Sequence, residues 1–285
     1  MRSRFVVLPL AIVACLILEQ NAPCWQASAS APIPDIPKLM LEVQAHQRAL
    51  DKVRENYTYK ELQVTDEMDS NGHVKKTETE EDEVFFVNNH EIHRTVKKDG
   101  KDLSANDEKK EQEHVQKQVE KAMKTPPDKD IDGHDVSVSP ILAIMKVSNA
   151  RRLSLNGRDT IAFDFVGDPH AKTHGMEEDV SKKLKGTLWV DEKDREVTRL
   201  EVQFDDNFHV GAGLLATIQK GSSVVFEQAL VNQELWLPTT AEIHMGARVL
   251  LLKGYHMNIH VKDSDYQRFH ADATQQPGVT VVPPK

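Results

Sequence analysis

Thirteen histidines are the side chains in this 285-residue sequence best suited to acid-base or metal chemistry, and their spacing limits what they can do. His90-Glu91-Ile92-His93 falls short of HExxH, and on a strand a spacing of three sends the two imidazoles to opposite faces. His256 and His260 share a strand face, yet at ~3.3 Å per residue they stand ~13 Å apart, too far for one ion with ligand bonds of ~2.1 Å. His170 and His174 converge only if their loop turns helical. Gly221-Ser222-Ser223 opens a strand without the context of a nucleophile elbow, and GxSxG is absent. His209-Val210-Gly211-Ala212-Gly213 lacks the third glycine and the strand-to-helix order of a phosphate cradle, so its glycines read as a bend. These patterns name no catalytic residue, no metal ligand and no cofactor.

The elements that position side chains begin after the N-terminus. Arg2 and Arg4 precede an apolar run from Phe5 to Leu18, too short to span a bilayer and followed by small residues, which reads as a secretory leader cleaved near Ala29 or Ala31. The alternative, lipid anchoring at Cys15, would leave an apolar Leu16-Ile17-Leu18 terminus. Cys15 and Cys24 both fall in the leader, so the exported chain carries no thiol and must be held by its core. Roughly 250 residues then remain for a domain spanning 32–270, with no second apolar segment long enough to cross a membrane and a Pro/Gln-rich tail at 271–285 that reads as disordered. Losing Arg2, Arg4 and Glu19 makes the net charge one unit more negative than −9, which disfavours nucleic acid and anionic lipid surfaces.

Leu39, Val43, His46, Leu50 and Val53 recur at helical spacing, with Asp35 as cap and Pro37 in the first turn. From Asn56 the period shortens to two, and Asn71-Gly72, Asn88-Asn89, Asp99-Gly100 and Asn156-Gly157 mark reversals between antiparallel strands. Residues 97–130 are about half charged and keep only Val115, Val119, Ala122 and Met123 at helical spacing, which predicts a charged helical insertion leaning on the sheet by one edge. Ile141, Leu142, Ile144, Met145 and Val147 predict a second buried helix capped by Ser139. In GTLWVDEKDREVTRLEVQF, residues 186–204, Thr198, Leu200, Val202 and Phe204 fall on one face and Val197, Arg199, Glu201 and Gln203 on the other. Tyr255, Met257, Ile259 and Val261 likewise oppose His256, Asn258, His260 and Lys262. The predicted class is α+β: a large curved, mostly antiparallel sheet of about ten strands, bent into a half-open barrel, with two or three helices packed on its concave face.

Gly186-Thr187-Leu188-Trp189-Val190-Asp191, Val197-Thr198-Arg199-Leu200-Glu201 and Glu234-Leu235-Trp236-Leu237-Pro238 together resemble the carboxyl half of periplasmic lipoprotein carriers of the LolA/LolB type, and also β-rich secreted proteins of acidobacterial type. The resemblance covers 186 to about 269; residues 97–130 depart from the carrier pattern. It implies a half-open barrel whose apolar hollow takes acyl chains, each buried methylene contributing ~0.8 kcal/mol. The lining residues it implies are Trp189, Leu200, Val202, Phe204, Phe226 and Trp236, though alternation does not say which face is concave. The expected function is a non-catalytic envelope protein, periplasmic or secreted, that binds a lipid or a lipidated partner. The rival readings are a structural or regulatory envelope module using 100–126 to engage a protein partner, and a secreted metal-dependent hydrolase.

Overall fold

The computed structural model describes residues 32–69, 71–127, 129, 144–210, 215–249 and 253–269. The chain divides into Met1–Pro32 and Ile33–Lys285, and everything below belongs to the second unit. The expected leader, the start of the expected second helix (139–143), the expected bend at 211–213 and the expected tail from 271 lie outside the described residues.

The chain opens with α1 (Ile36–Ala49) and the single turn α2 (Asp51–Arg54), followed by β1 (Tyr57–Met68), β2 (Val74–Val87), β3 (His90–Lys98) and β4 (Lys101–Asp102). Next come α3 (Ala105–Lys124), β5 (Met145–Leu155), β6 (Arg158–Gly167), α4 (Met176–Ser181), β7 (Leu184–Asp191) and β8 (Glu196–Phe204). The last elements are β9 (Phe208–Val210), β10 (Ala216–Ile218), β11 (Ser223–Val231), β12 (Leu235–Val249) and β13 (Lys253–Arg268). All thirteen strands form one open, curved, antiparallel sheet in the order β4-β3-β2-β1-β13-β12-β11-β8-β7-β6-β5, with β9 and β10 branching from β12. Three of these strands have only two or three residues, so ten long strands carry the sheet. The fold is α+β, as the alternation predicts.

Local chemistry explains most boundaries. Asp35 caps α1 by accepting the Lys38 amide at 3.0 Å, and Asn156 and Gly157 take φ of 52° and 78°, the left-handed pair a two-residue hairpin requires. α1 lays Ile36, Leu39, Met40 and Val43 on Ile161, Phe163 and Val190, with Leu188, Val197 and Val147 at the margin. Leu50 and Val53 cover a second cluster of Tyr57, Leu235 and Leu237. α3 lies against β3 and β2; Ala122 is fully buried and Val115 and Val119 half-buried, while Met123 is 69% exposed and leaves the stripe.

Three expectations need correction. Met145 and Val147 are strand, not helix: β5 ladders along β6, pairing Met145 with Gly167 and Val147 with Phe165. A short apolar run suits either structure, and here the unpaired edge of β6 supplied the hydrogen bonds. The stretch GARVLLLKGYHMNIHVKDSDYQRF, residues 246–269, reads in sequence as one last strand, but Gly246-Ala247-Arg248 continues β12 and the last strand begins at Lys253. In β8 the pairs Trp189–Arg199 and Val190–Val197 bracket an extra residue, Thr198; the bulge turns Val197 back toward α1, on the side of Leu200.

Gly186 of β7 sits opposite Val202 of β8 with no room for a side chain. A methyl group there would strike the carbonyl of Glu201 and come 2.8 Å from Phe165 Cζ. Gly186→Ala is expected to cost about 1–3 kcal/mol, seen as a lower urea midpoint, because the obstruction is backbone that cannot step aside.

Candidate functional site

Register places side chains from distant strands in rows on the helix-bearing face, since directly paired residues of an antiparallel ladder point the same way. One row runs Phe163, Leu188, Leu200, Phe226, Ala241, Val261. The next runs Phe165, Gly186, Val202, Val224, Ile243, Ile259, with Met245 opposite Met257 beyond it. α1 covers the Phe163–Leu188 end of the first row. From β8 to β13 these side chains are only half-buried, whereas Glu242, His244, His256, His260 and Lys262, which alternate with them, are exposed. The result is an apolar strip across four strands; Leu50 and Val53 pack on the same strands at Leu235 and Leu237. A shallow hollow of about 500 Å³ over β6, β7, β8 and β11 includes Gly186, Val202 and Val224 in its lining.

Leu200, Val202, Phe204 and Phe226 share this face. Trp189 does not: it lies on the other face of β7, opposite Arg199, whose guanidinium sits 5.6 Å over its ring and pairs with Glu201 and Glu227. Trp236 is buried at the end of the sheet, donating through Nε1 to Asp194 at 3.0 Å beneath the Arg158 guanidinium. Arg158 also pairs with Asp191, whose carboxyl is held below the ordinary range because this pairing and two backbone amides outweigh its burial. The six residues are therefore one cluster of four and two separate aromatics. Residues 170 and 174 lie in a loop, where the backbone of His174 donates to Glu178 and that of His170 to Asp168.

A second constellation has no counterpart in any linear motif. Glu61 of β1 pairs with Asp82 of β2 and with Asp263 of β13, and Val84, two residues on, pairs with His93 of β3. His93 Nδ1 stands 3.7 Å from both Glu61 Oε1 and Asp82 Oδ2, and its Nε2 is 3.8 Å from Glu91 Oε1. His90, three positions earlier, points elsewhere, its Nε2 against the carbonyl of Thr125. Burial opposes charge on His93, but the neighbouring Asp82, Glu91 and Glu61 carboxylates prevail and raise its pKa to about 9. Burial, reinforced by Glu61 and Glu91 and opposed by His93, pushes Asp263 up to about 7. Burial likewise lifts Glu61, and Tyr59, whose hydroxyl donates to Glu91, is raised further still. Tyr59 stacks at 5.6 Å on Tyr266, so an aromatic pair walls this cluster at the end of the apolar strip. His46 of the α1 stripe meets the buried Glu196 at 3.0 Å with Gln47 beside it at 3.1 Å.

No family profile and no curated protein matches the sequence. Among solved structures, the chain is similar to a domain from Vibrio parahaemolyticus assigned to outer membrane lipoprotein sorting, at 11% identity and a TM-score of 0.36, over 86% of this chain and 95% of that one. It is also similar to the MucA/MucB complex of Pseudomonas aeruginosa (9% identity, TM-score 0.24, 81% of this chain and all of that one) and to MucB bound to MucA(peri) (9%, 0.22, 80% and 100%). The acidobacterial likeness finds no support among them. Overlaps this loose carry no functional argument, which therefore rests on the residues. No helix among the described residues is long and apolar enough to cross a membrane.

Proposed function

We propose that the protein is a non-catalytic binding module of the cell envelope, exported by its leader, that holds an apolar chain such as the acyl group of a lipid or lipidated partner. The observation that carries this reading is the strip of Leu200, Val202, Val224, Phe226, Ile243 and Ile259, apolar in every position and only half-buried. An acyl chain laid along it gains about 0.8 kcal/mol per methylene removed from water and needs no polar recognition. Binding of a fluorescent fatty acid tests the reading. Val202→Glu is expected to weaken it at least about tenfold, since a carboxylate there must be desolvated by the ligand, while Trp189→Ala, on the far face, leaves it unchanged. Failure of the parent protein to bind any acyl probe, together with no lipid in native mass spectra of protein taken from its envelope, sinks the proposal.

A second reading, an envelope interaction module with no small ligand, is favoured by α3, whose charged residues other than Glu111 are exposed along 20 residues. Capture of a specific envelope protein that is lost when 100–126 is deleted, with no lipid found, would select it.

A further inference from the structure

We propose that Glu61, Asp82 and His93 bind a divalent transition-metal ion of the Zn²⁺ class, with Asp263 supplying further negative charge at the site. The inference is independent of the acyl-binding reading. The three ligand atoms lie within 4.8 Å of one another. His93 Nδ1 is 3.7 Å from each carboxylate oxygen, too long for a hydrogen bond and close to the separation of two ligands sharing one ion, since two ~2.1 Å bonds at a tetrahedral angle place their ends roughly 3.4 Å apart.

Asp263 gives an independent indication. It is 7% exposed, stands directly across from Glu61 on the same face, and its Oδ1 has no hydrogen-bond partner; Asp82 Oδ1 is likewise buried and unpartnered. Buried carboxylates without partners are costly, and each calls for a positive group. On β3, Lys97, Lys98 and Arg94 pair with Glu81, Glu80 and Glu83, which leaves His93 facing Glu61 and Asp82. One imidazole among oxygen ligands suits Zn²⁺ better than Mg²⁺ or Ca²⁺, which favour all-oxygen shells. The donors come from three adjacent strands hydrogen-bonded in register, so little ordering is required to assemble them.

The full chain, stripped with chelator and dialysed, is titrated calorimetrically with ZnCl₂ and assayed for bound metal. One equivalent is expected. His93→Gln and Asp82→Asn should each weaken that site by about 100-fold or more, and Asp263→Asn by roughly tenfold, at the low end of what outer partners of a metal site contribute. A His256→Gln/His260→Gln double variant, altering exposed imidazoles on β13, should bind like the parent. Zn²⁺ should raise the melting temperature of the parent and of the double variant but not of His93→Gln, whose circular dichroism reports whether it is folded. Absence of stoichiometric binding, or zinc retained by His93→Gln and lost by the double variant, overturns the site and leaves only adventitious surface histidines.

Discussion

In metal-free protein at pH 8, Asp263→Asn is expected to raise the free energy of unfolding by about 2–4 kcal/mol, a gain that vanishes near pH 4. The ordinary carboxyl value of 3.8 applies to the unfolded chain, and burial with Glu61 and Glu91 nearby raises the folded value to about 7. Between those values the folded chain keeps a proton that the unfolded chain has released. Stability is therefore fully present below 3.8 and lost as pH rises through about 7. His93 opposes the shift and moderates it. Asparagine has the same shape and cannot ionise, so this pH-dependent loss disappears. Urea unfolding in chelator at pH 4, 6 and 8 checks it; a variant less stable than the parent at pH 8 would mean that the carboxylate is ionised and satisfied.

Leu39→Ala should cost about 2–5 kcal/mol, the largest effect expected on α1. Leu39 is 1% exposed among Ile36, Met40, Val43, Ile161, Phe163 and Val190, where the helix closes over β6 and β7. Truncation removes buried methyl groups and leaves a cavity between helix and sheet, elements that cannot collapse far because the ladder fixes one of them. Leu41, two residues away and 49% exposed, provides the contrast, with Leu41→Ala expected to stay within about 0.5 kcal/mol. Comparable urea midpoints for the two variants would show that α1 is not held by this cluster.

Much of the architecture was legible because it is written locally. The Asp35 cap, the reversals at Asn88-Asn89 and Asn156-Gly157, and the alternation of Tyr255, Met257, Ile259 and Val261 each depend on a few neighbouring residues, and each is found where the pattern placed it. The segment from Met145 is ambiguous in sequence because a run of apolar residues satisfies a helix and a strand equally, and the choice lies with the free edge of β6, formed by residues that follow it in sequence. The carrier resemblance implies Trp189 and Leu200 as lining of one hollow; the Leu188–Leu200 and Trp189–Arg199 pairings set them on opposite faces.

The candidate cation site shows the same division. Glu61, Asp82, His93 and Asp263 are separated by intervals that no motif predicts, and three of the four are carboxylates on strands rich in charge. Sequence alone determined the period of each strand, the turn chemistry and the acidic character of the chain, because φ preference and side-chain alternation are properties of adjacent residues. Only the tertiary structure decided that β1 pairs with β13 and β8 with β11, and hence which side chains meet across the sheet, because register between distant strands is fixed by the packing of the whole face and not by any segment within it.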